Sequence, residues 1–221
     1  GLARFSGLSS FGGALFADEA GFGLARFSDA AYFSGAVFQD LALFGLTKFE
    51  DIVTFQEARF QGDLNFKGGS ISALLLDKAE LADGSRIILN DTDISRFRAR
   101  WDEIKDNVAW EPGAYLALVE NYRRLGWSKD EDDCYYQYRR LEQAAKSWGW
   151  SKIIDILAWR SCGYGVRPGY ALAWSLIIIF GFGMVFWKGD GIRRSSRPLS
   201  GPAEEDRIPE RATLRNALFF S

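Results

Sequence analysis

The sequence predicts a mixed fold: a β-solenoid followed by α-helices, the last of them apolar enough to cross a membrane. Three observations carry this reading. Phe5, Phe11, Phe16, Phe22, Phe27, Phe33, Phe38, Phe44, Phe49, Phe55, Phe60 and Phe66 follow one another in alternating steps of six and five residues. Of the twelve residues two before a ring, eight (Ala3, Ala14, Ala20, Ala25, Ala31, Ala36, Ala42 and Ala58) are Ala. Residues 168–187 contain no charged side chain.

The phenylalanine period belongs to neither a helix, which repeats every 3.6 residues, nor a flat strand, which repeats every 2. A fixed short period marks a solenoid, in which each repeat buries its apolar residue by stacking on its neighbours. Residues two apart in extended backbone share a side, so each unit sends one ring and one small side chain inward. Ser28, Asp29, Gln39, Asp40, Glu50 and Asp51 then face water. After Phe66 the pair Gly68-Gly69 reads as a break or bulge, and Ile71, Leu76, Leu81, Ile87 and Ile94 continue the register. The solenoid is placed at 1–95, with Trp101 and Ile104 as the cap that its last turn requires.

Stretches such as Ala25-Arg26-Phe27-Ser28-Asp29-Ala30-Ala31-Tyr32-Phe33-Ser34-Gly35-Ala36 resemble the pentapeptide-repeat family. The resemblance implies a right-handed β-helix of roughly square (quadrilateral) cross-section, its turns stacked about 4.8 Å apart. The sixth residue in every second unit departs from a strict five-residue step and leaves the rung geometry open.

Residues 96–150 read as a capping region and a helical hairpin. Pro112 suits a helix start and Gly126 a helix end, with Tyr115, Leu118, Val119 and Tyr122 at helical spacing between them. Ser128-Lys129-Asp130-Glu131 has the form of a capping box opening a second helix to about Trp148, with Tyr135, Tyr138, Leu141 and Ala145 on one face. These aromatics suit a hairpin packed on itself and on the solenoid cap. Tyr122-Arg123-Arg124-Leu125-Gly126 also resembles a TPR hairpin, although one hairpin forms no TPR groove. The acids 130–133 fit either a helix's first turn, where the dipole favours them, or a metal cluster.

Composition removes several function classes. There is no histidine, which takes away Ser-His and Cys-His nucleophile pairs and most zinc sites; the chain is expected to be no enzyme and to need no cofactor or catalytic metal. Cys134 and Cys162 are read as unpaired thiols in a reducing compartment. Residues 1–93 hold seven Lys and Arg against thirteen Asp and Glu, so there is no basic stripe for nucleic acid. The absence of an initial Met and the apolar end Ala217-Leu218-Phe219-Phe220 read as a fragment cut at both ends.

Residues 151–167 form a juxtamembrane helix with an apolar face of Ile153, Ile156 and Leu157, ending in an elbow of Gly163, Tyr164, Gly165, Arg167 and Pro168. The apolar run that follows, taken as a transmembrane helix over 168–188, is about 30 Å long, the thickness of the hydrocarbon core. Tyr170, Trp174 and Trp187 stand near its ends, where membrane interfaces favour such rings. Lysines and arginines lie on both sides, so charge does not set orientation; the free thiols place the solenoid in the cytoplasm. Residues 189–211 read as a solvated loop, and 212–221 as the start of an apolar helix carrying Thr213, Leu214, Ala217 and Phe220.

This order of solenoid, hairpin, elbow, span, loop and short apolar helix resembles pentapeptide-repeat proteins that end in a two-span ion-channel domain of potassium-channel type. The resemblance implies a homotetramer in a lipid bilayer, a monovalent cation as permeant species, 168–188 as outer helix and Thr213–Phe220 as the start of a truncated pore helix. Gly163-Tyr164-Gly165 looks like a potassium-channel filter, but no span precedes it, and it is read as an elbow. A membrane-anchored scaffold whose solenoid binds a protein partner, and a DNA-mimicking pentapeptide-repeat protein, are the alternatives.

Overall fold

The structure, a computed structural model, describes residues 2–188, leaving the side chains of 162, 168 and 171 undescribed. The chain falls into two compact units, 1–147 and 148 onward.

The first unit opens with a parallel β-solenoid whose coil is 22 residues long through its first turns: Phe5 pairs with Phe27 and Phe27 with Phe49, and Phe16 pairs with Phe38 and Phe38 with Phe60. Four units make one coil, so the rings form four ladders. Phe5 stacks on Phe27 at 4.4 Å, Phe11 on Phe33 at 4.7 Å, Phe16 on Phe38 at 4.7 Å and Phe22 on Phe44 at 5.1 Å between centroids. These separations follow the inter-strand spacing. The eight rings from Phe27 to Phe66 are buried; Phe5, Phe11, Phe16 and Phe22 in the first coil are half-buried. The residues two before the rings are buried from Ala20 to Leu64, as the alternation predicts.

The alternating step, left open by the sequence, corresponds to two kinds of corner. Each five-residue step turns through an amide-to-carbonyl bond across four residues, such as Ala25 N to Phe22 O at 3.1 Å or Ala36 N to Phe33 O at 3.1 Å. The third residue of these turns is left-handed: Gly13, Leu24, Gly35, Leu46, Glu57 and Gly68. A type II turn demands that conformation. Six-residue steps use the extra residue at corners where Asp29, Asp40 and Asp51 accept the next backbone N–H, each at 2.8 Å.

Three expectations are corrected here. Gly68-Gly69 is no break: Gly68 takes the ordinary left-handed turn position, and Gly69 is buried at the small inward position. The irregularity in pairing lies between Ile71 and Ala73. Ile87 does not take a ring position. It stacks on Leu64, so Leu89 succeeds Phe66, because the coil lengthens to 23 residues there. The wall also runs past 95: the strand Asp93–Arg98 pairs with Ser70–Leu75, and Val108 bridges Ile87.

The end is closed by α1 (Trp101–Ile104), with Trp101 and Ile104 buried as expected. Helix α2 (Pro112–Leu125) begins at Pro112 with Glu111 accepting the Ala114 N–H, and ends at left-handed Gly126. It packs on α3 (Ser128–Ala145) as an antiparallel hairpin. The predicted capping box does not form. The residue before α3 is Trp127, and no side chain caps the first turn. Glu131 instead accepts from Arg123 Nε at 2.9 Å, and Asp130 is buried against the solenoid end. Tyr135, Tyr138 and Leu141 pack against the core, but α3 stops at Ala145, which is exposed; Gln143 is buried.

The second unit contains α4 (Trp150–Cys162), one turn of 3-10 helix at Gly163–Gly165 and α5 (Pro168–Lys188). The predicted face of α4 is rotated: Ile156 is half-buried, and the outward residues are Trp150, Ile153, Ile154 and Leu157.

Candidate functional site

Two places carry more than a repeat needs. The first is the closure of the solenoid. Its last strand presents an edge whose backbone groups need partners. Asn121, on the buried stripe of α2, supplies them: its Oδ1 accepts the Phe97 N–H at 2.9 Å and its Nδ2 donates to the Phe97 carbonyl at 2.8 Å. One side chain thus imitates a neighbouring strand. Tyr122 donates its hydroxyl to the Ala99 carbonyl at 3.0 Å, and Asp130 accepts the Trp101 N–H at 2.8 Å. Arg100 pairs with Asp130 at 3.1 Å and lies over the Trp127 ring at 4.6 Å.

Asp130 is therefore a structural acceptor, and among the described residues no cluster of acids and cysteines could hold a metal ion. Burial pushes the Tyr115 phenol up to about 12. Burial also raises Tyr122 and the Cys134 thiol well above their ordinary values, so Cys134, a free and buried cysteine, is a packing residue rather than a nucleophile. A cavity of about 20 Å³ between the solenoid end and α2, lined by Leu89, Thr92, Ile94, Phe97, Leu118 and Asn121, has room for about one water. Helical spacing alone marks neither Asn121 as a strand mimic nor Asp130 as a partner of the solenoid end. The available signal was Asn121 itself, a polar residue three after Leu118 on an otherwise apolar stripe.

On the solenoid surface, basic residues pair with acids one coil away: Arg26 with Glu50, Arg59 with Glu80 and Arg86 with Asp63; Lys48 joins Glu50 from its own strand.

The second place is the α4–α5 unit. The predicted elbow residues are brought together. Gly163, Tyr164 and Gly165 are all left-handed, with φ of 55°, 59° and 86°. A Cβ on Gly163 would lie 2.6 Å from Arg167 Cβ and 3.0 Å from the Tyr170 ring, so only glycine fits where α4 hands over to α5. Trp174 Nε1 donates to the Arg160 carbonyl at 2.9 Å, tying the last turn of α4 to the second turn of α5. The left-handed segment Gly163–Gly165 forms the junction between α4 and α5. Along α5, apolar side chains from Leu172 to Trp187 are exposed on every face. Among the described residues, however, no helix is long and apolar enough to cross a membrane, so the predicted span rests on the sequence. The predicted pore-helix residues Thr213, Leu214, Ala217 and Phe220 lie outside the described residues.

Residues 22–70 match the family model for pentapeptide repeats, in nine copies. That match lies within the coils where the ring ladder is most regular, and the protein carries a pentapeptide-repeat β-solenoid. No curated protein and no solved structure matches the chain.

Proposed function

We propose that this pentapeptide-repeat protein is anchored in a membrane by α5, and that α5 is the outer helix of a homotetrameric two-span cation channel of potassium-channel type with the solenoid in the cytoplasm. The observation that carries the reading is that α5 has no polar face. A helix apolar all round is stable only when buried in a large core or in lipid, and the described residues bury almost none of it.

The helix Pro168–Lys188 measures about 31 Å, comparable to the thickness of the hydrocarbon core. Arg167 and Lys188 bracket the uncharged residues, and Trp174 and Trp187 suit the interfaces. The channel part rests on the order of segments, in which α5 is followed by a polar stretch and the apolar Ala217-Leu218-Phe219-Phe220.

The test is planar-bilayer recording of the protein encoded by the complete gene, with its subunit number from native mass spectrometry. Cation-selective unitary currents from a tetramer are expected. A monomer or dimer without currents would leave the scaffold reading, in which the solenoid binds a protein partner. That reading draws on a solenoid face of low charge carrying Ser10, Tyr32, Thr54 and Leu75 in register.

A further inference from the structure

Helix α4 is built inside out. Trp150, Ile153, Ile154 and Leu157 stand at i, i+3, i+4 and i+7, one face of a helix. Trp150 is 82%, Ile154 63% and Leu157 62% exposed, with Trp148 exposed just ahead of the helix. The opposite face holds Lys152, Asp155 and Trp159; Asp155 is only 8% exposed, and Lys152 and Trp159 are half-buried. In water the reverse arrangement is favoured, with charged side chains outward and apolar ones inward.

We infer that α4 lies along a phospholipid bilayer, with Trp148, Trp150, Ile154 and Leu157 seated at the boundary between headgroups and acyl chains. The inference rests on the reading of α5 as a membrane helix. Continuity selects lipid as the occupant. The Trp174–Arg160 hydrogen bond fixes the last turn of α4 beside the second turn of α5, at the end of α5 that Arg167 brackets. An element held at that end of a membrane helix meets the interfacial layer, where tryptophan is favoured and amphipathic helices bury one face. Charge agrees: between 148 and 167 the sequence has Lys152, Arg160 and Arg167 against Asp155 alone, which suits an anionic headgroup layer.

The experiment uses the full chain reconstituted in phosphatidylcholine–phosphatidylglycerol vesicles whose acyl chains are brominated near the headgroup, with tryptophan emission as readout. The chain has eight tryptophans, of which Trp148, Trp150, Trp174 and Trp187 come within reach of the bromines. Trp148→Phe with Trp150→Phe is expected to lower the quenched amplitude about twofold, since two of four interfacial rings are removed. Ile154→Glu with Leu157→Glu, which keeps every tryptophan, is expected to shift Trp150 emission to the red and reduce its quenching while the protein stays with the vesicles. Quenching of the parent chain with no change in either variant overturns the docking of α4 and leaves α5 in the membrane. No quenching of the parent chain at all overturns the α5 reading, and the docking of α4 with it.

Discussion

The solenoid and the α4–α5 unit dispose of their apolar side chains in opposite ways. From the second coil onward every repeat ring is buried, with a ring of the coil below and a ring or an aliphatic side chain of the coil above. In the second unit Trp150, Leu157, Leu172 and Val185 are mostly exposed, while Asp155 is buried. The two regions obey one rule, that apolar surface leaves water, but they meet it differently. The solenoid supplies its own apolar surroundings by repetition. The α4–α5 unit has too few described elements to do so, and in the function proposed above it takes them from lipid.

The comparison is broken most severely by removing a ring. Phe33→Ala is expected to cost the isolated 1–147 unit about 3–5 kcal/mol, because the ring lies between Phe11 and Phe55 in its ladder at 4.7 and 5.0 Å; thermal or urea unfolding measures it. Gln39→Ala, on the outer surface, serves as control. Next is the end of the stack. Asn121→Ala strands the Phe97 N–H and carbonyl together, each costing about 1–3 kcal/mol when buried without a partner. Hydrogen exchange at the Phe97 amide should rise before that of Phe27 or Phe49.

Gly62→Ala comes third. The added Cβ would sit 2.6 Å from the Asp40 carbonyl carbon and 2.9 Å from the Leu41 nitrogen, backbone atoms that cannot step aside, so a loss of about 1–3 kcal/mol is expected. Alkaline pH gives a smaller effect on the same unit. Burial holds Tyr115 up to about 12 and raises Tyr122 further, whereas both ionise near 10 once unfolded. The neutral phenols therefore add stability that is complete below about pH 10 and falls as pH rises beyond it. Tyr122→Phe should flatten that decline, read as unfolding midpoint against pH.

How far these features were legible follows from the range of the interactions. The ring ladder was readable because its signal is periodic: one residue type recurs at a fixed step and each copy reports the same environment. Where the coil lengthens around Asp83-Gly84, the period gives no warning, so Ile87 was assigned the place that Leu89 holds. The alternating step was readable as a pattern but not as a cause, because the two corner types differ in backbone conformation, which Leu24 and Leu46 do not advertise as glycine would. Ser128 and Glu131 have the spacing of a capping box, yet Arg123 takes Glu131 and the solenoid end takes Asp130. A local rule lost to long-range partners. The rotation of the α4 face was missed for a related reason. A helix wheel gives two apolar arcs, one through Ile156 and one through Ile154, and only the packing beside α5 selects between them.

The claim that the two regions need different surroundings is tested most directly by alkaline carbonate extraction of membranes from cells expressing the full chain and, separately, residues 1–147. The account predicts that the full chain stays in the membrane pellet, that residues 1–147 are released, and that Ile178→Arg with Phe182→Arg releases a large share of the full chain. Release of the unaltered full chain into the supernatant would contradict it.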